Sequence, residues 1–150
     1  MAGSWKAAGI LTMPALAAVL LAGCAEVGLD LDDLRDQASQ HASDLSSHGD
    51  DLLSQAQNFG AEAQTAIEGA TTGAEDAAQQ ARDAIAALEG GQENAEQRVA
   101  DARTALDEAQ AQLDELKNSV SDDQLATIEA ERDQIAQLLT DLKGDLESAQ

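Results

Sequence analysis

After Pro14 the chain runs to Gln150 without another proline, and that absence constrains its fold more than any other feature. Proline is the residue that most forcibly ends a helix, so only glycine remains to punctuate one. The composition favours helix as well. Ala, Gln, Asp, Glu and Leu dominate, and Phe59 is the sole aromatic residue after Trp5. A compact globule draws on aromatic and large aliphatic bulk that this chain lacks. The expectation is an all-α fold of elongated amphipathic helices packed in a coiled-coil-like manner.

The apolar spacing gives the detail. Val27, Leu31, Leu34, Ala38, Leu45 and Leu52 recur in threes and fours, with His41 and His48 on the same stripe. Gly49 is a natural stop there and Asp50 or Asp51 a natural restart. Residues 30–89 read as acidic, alanine-rich helices with glycine breaks. Ala56, Phe59, Ala63, Ala66 and Ala70 form a thin stripe, and interior glycines at Gly60, Gly69 and Gly73 weaken it by about 1 kcal/mol each. Gly90-Gly91 is the clearest break.

Around and beyond that break run two heptad series. One is Ala78, Ile85, Gln92, Val99, Leu106, Leu113 and Val120; its companion is Ala81, Leu88, Ala95, Ala102, Ala109 and Leu116. The pattern then restarts at Leu125, two residues early, and continues through Ile128, Ile135, Leu139, Leu142 and Leu146, with Arg132 intruding. Two residues at about 100° each rotate the stripe nearly to the opposite face, so a turn is simpler than a continuous rod. Ser121-Asp122-Asp123-Gln124 fits a capping box at that turn. Residues 92–149 are therefore expected to form an antiparallel helical hairpin. The competing arrangement is one long helix in a parallel oligomer.

The amino terminus differs from everything after it. Residues 1–23 hold a single charge, Lys6, and the 14 residues Ala7–Leu20 are an apolar run too short for an ordinary membrane-spanning helix. Length and order suit a signal peptide. The run leads into Leu21-Ala22-Gly23-Cys24. This tetrad resembles the lipobox of bacterial lipoproteins. The resemblance implies cleavage between Gly23 and Cys24, lipidation of Cys24 (a diacylglyceryl group, with further acylation such as palmitate on the new amine), and a short tether over 24–29. It implies a cell-envelope location on the extracytoplasmic side, with the membrane as partner through that lipid. Ala25 in place of Asp resembles the outer-membrane class of enterobacterial lipoproteins. The long-helix alternative would be similar to the murein lipoprotein class, except that Lys143 lies seven residues short of the end.

Charge narrows the partners. From Cys24 onward, 29 acids stand against 7 bases, a formal charge of −22. Phosphate backbones require clustered Lys and Arg, so nucleic acid is excluded as a partner. A second copy of the chain or an envelope protein remains open. Cys24 is the only cysteine, so no internal disulfide can form.

Candidate chemistry is sparse. His41, Asp44 and His48 share a helix face and are the residue types that hold zinc, nickel or copper. Yet the two histidines stand about 10 Å apart along a helix axis, too far for one ion, so they read as polar residues on a packing seam. Asp30, Asp32 and Asp33 lack a calcium loop and suit a helix start. No catalytic motif, cofactor site or metal site is expected. The sequence thus reads as a non-enzymatic, lipid-anchored spacer, stalk or protein-interaction module. The alternatives are an acidic cation- or ligand-binding envelope protein, or a chain whose alanine-rich middle folds only on a partner.

Overall fold

The computed structural model describes residues 30–150; the signal segment, the Leu21–Cys24 tetrad and Val27 lie outside the described residues. Four helices account for almost all of them: α1 (Leu31–Gln55), α2 (Ala61–Glu89), α3 (Ala95–Ser119) and α4 (Asp122–Ser148), with one 3-10 turn at Ala56–Asn58. The fold is all-α, as the proline-free, alanine-rich sequence requires.

Each helix lies antiparallel to its neighbours, and the cross-links between side chains fix the register. Between α3 and α4, Gln110 donates to Thr140, Lys143 pairs with Asp107, and Arg103 approaches Glu147. Each step up α3 is matched by an equal step down α4. Ser46 on α1 reaches Glu75 on α2, and Arg35 reaches Glu89, in the same opposed sense. Helices α1 and α4 also pack together, which closes the ring into an up-down-up-down bundle. Helices of 25 to 29 residues make it roughly 40 Å long.

The apolar stripes meet at the centre. Leu34, Leu45, Leu52, Ile67, Ile85, Leu106, Leu113, Leu116, Ile128, Ile135, Leu139 and Leu142 are all but fully buried. Burying a side chain of this size is worth about 1.5–3 kcal/mol. Both heptad series are buried or half-buried except at Gln92, which lies in the α2–α3 turn. The most extensive packing joins α2 to α3. Small residues explain it, since Ala74, Ala77, Ala81 and Ala84 on α2 and Ala102 and Ala109 on α3 let two backbones come close. The C-terminal hairpin α3–α4 is present, but within a single four-helix core. Gly60 is the N-cap of α2 rather than interior to it. Gly69 and Gly73 lie within the helix without breaking it and do not thin its packing, for eleven of its residues are buried against seven on α3.

One expected break is corrected. Helix α1 runs through Gly49 without interruption, so there is no stop at Gly49 and no restart at Asp50 or Asp51. Gly49 serves close approach instead: a Cβ there would stand 2.6 Å from Thr71 Cγ2 on α2. The chain turns at residues 56–60, where Phe59 and Gly60 are extended. The Gln64 side chain donates to the carbonyls of Gln57 and Phe59, satisfying groups that the turn leaves free.

The other two turns follow local rules. Gly91 takes a left-handed φ of 60°, with Gln92 N–H donating to the Ala87 carbonyl and Gly91 N–H to that of Leu88. That pair of bonds is a Schellman motif, and it ends α2. At the α3–α4 turn Ser121 Oγ accepts from the Gln124 N–H while Gln124 Oε1 accepts from the Ser121 N–H, a complete capping box. The chain therefore doubles back here rather than continuing as one rod.

A candidate site on the seam between the first and last helices

The polar groups worth attention lie where α1 meets α4. On α1, Leu34, Ala38, His41, Leu45, His48 and Leu52 alternate by fours and threes, and all but the histidines are buried. On α4, Ile128, Glu131, Ile135, Leu138, Leu142 and Asp145 follow the same rule. Each helix thus places two polar residues, one or two turns apart from its leucines, on a stripe that is otherwise apolar.

These polar residues meet in two pairs. His48 Nδ1 lies 2.6 Å from Glu131 Oε2, a short hydrogen bond between groups that are one-fifth to one-third exposed. His41 Nε2 lies 3.6 Å from Asp145 Oδ2, beyond hydrogen-bonding distance but close enough to couple charge. Leu138, midway between Glu131 and Asp145, is buried between the two polar layers.

Their electrostatics differ. Burial pushes the Asp145 carboxyl above its ordinary value; His41 pulls it back, and the neighbouring Asp141 carboxylate pushes it further up. His41 Nδ1 and Asp145 Oδ2 are both buried without a hydrogen-bond partner among the described residues. A carboxyl-paired imidazole activates a nucleophile only when a hydroxyl or thiol stands at its other nitrogen. None does so here.

The three residues singled out in the sequence are separated by their partners. His41 and His48 each engage a different acid of α4, and Asp44 accepts a hydrogen bond from Gln40 on its own helix. Instead, His48, Asp51 and Glu131 bring one ligating atom each to within 4.8 Å of one another. Glu131 and Asp145 were not among the sequence candidates. A signal for them exists, because both fall seven residues from Leu138 and so on the α4 stripe. Arg132, the expected intruder, is half-buried and pairs with Asp133 beside it.

Asp30 precedes the first turn of α1, and Asp32 and Asp33 lie within it, where a negative charge meets the positive end of the helix dipole. A groove at the α1–α2 turn is lined by the polar residues Asp50, Ser54, Gln57, Gln64 and Glu68 together with Leu53 and Ala56. No described helix is long and apolar enough to cross a membrane. No protein family, curated protein or solved structure matches the chain.

Proposed function

We propose that this chain is a lipid-anchored protein of the bacterial cell envelope whose helical bundle acts without catalysis, as a spacer or docking module. The observation that carries the reading is the Leu21-Ala22-Gly23-Cys24 tetrad, placed directly after an apolar run and seven residues before α1 begins. Lipid on Cys24 would supply the anchor, since two or three acyl chains hold a protein at a membrane where one does not. Residues 24–29 would leave a tether of at most about 20 Å. The bundle beyond it adds roughly 40 Å, which sets the distance over which a spacer could act.

The architecture supports the non-catalytic part of the reading. The four apolar stripes face one another and form one shared core. The seam histidines spend their contacts on acids of α4 and have no nucleophile beside them among the described residues. The outer surface is dominated by carboxylates, which suits a basic protein partner and repels nucleic acid.

The test is expression of the full chain in a bacterial host, with fractionation and mass spectrometry of the amino terminus. The expected result is a membrane-associated protein that begins at Cys24 and carries a thioether-linked diacylglyceryl group. Cys24→Ser should abolish acyl labelling and release the precursor from lipoprotein processing. A cytoplasmic protein with an intact N-terminus would overturn the proposal.

A further inference from the structure

We infer that His48, Asp51 and Glu131 form a binding site for a divalent first-row transition metal, zinc being the ion that fits it best, and that the ion joins α1 to α4. The site is independent of lipid anchoring. Its ligating atoms already converge: each of the three residues places one within 4.8 Å of the others. His48 and Asp51 are one helical turn apart on α1, and so share a face. Glu131 comes from the opposite side of the seam, with its Oε2 2.6 Å from His48 Nδ1.

The donor set selects the ion. Calcium and magnesium prefer shells made wholly of oxygen. An imidazole nitrogen beside two carboxylates suits zinc, cobalt or nickel instead, and the two carboxylates balance the charge of a divalent ion. Three protein ligands leave a tetrahedral ion one position for water or for a group from a partner. The ion would replace the direct contact between His48 Nδ1 and Glu131 Oε2.

Position and access also fit. His48 is flanked along α1 by Leu45 and Leu52, and Glu131 along α4 by Ile128 and Ile135, all four with no exposed surface. The backbones that carry the ligands are therefore held by core packing, which is the support that a metal site needs. Asp51 is exposed, and the His48 and Glu131 side chains are 33% and 21% exposed, so an ion can enter from solvent. The neighbouring cation, Arg132, is engaged by Asp133 at 2.6 Å. The second seam pair, His41 with Asp145, gathers no third ligand among the described residues.

The experiment uses the full chain with Cys24→Ser, so that the thiol cannot contribute, purified in detergent at moderate salt. Zinc chloride is the probe, with magnesium chloride at equal concentration as the reference for diffuse adsorption to an acidic surface. Calorimetric titration should show one zinc per chain. At a hundredfold excess over Kd the thermal midpoint should rise by about 8 °C, and magnesium should not reproduce that rise. His48→Ala and Glu131→Gln should each weaken binding at least about tenfold, whereas Asp122→Asn with Asp123→Asn should leave it unchanged. Asp51→Asn alters an exposed side chain and keeps the test decisive if a seam variant fails to fold. Cobalt should give visible absorption bands that are lost in Asp51→Asn. No saturable binding, or binding that survives all three ligand substitutions, would overturn the site.

Discussion

Two glycines inside helices make opposite predictions from one substitution. Gly69 of α2 is exposed, and a Cβ there would meet nothing within 4 Å. Gly69→Ala should therefore gain the whole helix-propensity difference, about 1 kcal/mol. At Gly49 the same gain is opposed by contact, because the new Cβ would stand 2.6 Å from Thr71 Cγ2. Carbon atoms pack at about 3.5–4.0 Å, so roughly 1 Å of overlap must be relieved. Thr71 is poorly placed to give way, being β-branched and only 3% exposed. Overpacking of this kind costs about 1–3 kcal/mol, which leaves Gly49→Ala destabilising by about 1 kcal/mol. The two variants should differ by about 2 kcal/mol in urea unfolding followed by helical circular dichroism. In a Thr71→Ala background the obstructing methyl is gone, and Gly49→Ala should turn stabilising. If Gly49→Ala stabilises the parent chain as much as Gly69→Ala does, the close approach of α1 to α2 is wrong.

Two further substitutions probe the seam and the last turn. Asp145 has a folded pKa raised above 3.8 by burial, so its contribution to stability is fully present below that value and is lost as pH rises through the folded pKa. Asp145→Asn removes this loss, and should gain stability relative to the parent between about pH 3 and pH 7, read as a shift in urea midpoint; a difference that stays constant or narrows would refute the burial argument. Ser121→Ala deletes the acceptor that Gln124 N–H uses at 3.3 Å and should cost about 1 kcal/mol, while Ser121→Thr should restore most of it in the same assay.

Local chemistry made much of this architecture readable. Gly90-Gly91 and Ser121–Gln124 announce their turns because a left-handed residue and a reciprocal cap are properties of a few adjacent residues. The heptads of α2 and α3 are legible for the same reason, since Ala78 and Ile85 on α2, and Val99, Leu106 and Leu113 on α3, need only the spacing of their own helix to fall in line. Gly49 misleads because a helix-stopping glycine and a close-packing glycine are the same letter. What separates them is Thr71, twenty-two positions away on another helix. The His48–Glu131 contact was hidden in a similar way. Spacing placed the histidines on a seam but could not say that α4 would cover it. Asp44, Glu131 and Asp145 are equally acidic in the sequence, and only the pairing of α1 with α4 decides which of them a histidine meets.

That pairing explains why polar residues can stand on an apolar stripe at all. Replacing a partly buried polar pair by well-packed leucines is often neutral or stabilising, so the pairs are weak as a source of stability. Their effect is on register. The apolar members alone, Leu34, Ala38, Leu45 and Leu52 against Ile128, Ile135, Leu138 and Leu142, would tolerate a slip of one heptad with little loss of burial. Because His41 and His48 are themselves seven residues apart, such a slip would carry one histidine into the place of the other, so one pair would survive and the second would be broken, leaving its acid without an imidazole. In the observed register both acids find imidazoles at once. A bundle whose core is otherwise assembled from alanine and leucine has few shapes to distinguish one alignment from the next, so two matched polar layers supply the distinction that packing cannot.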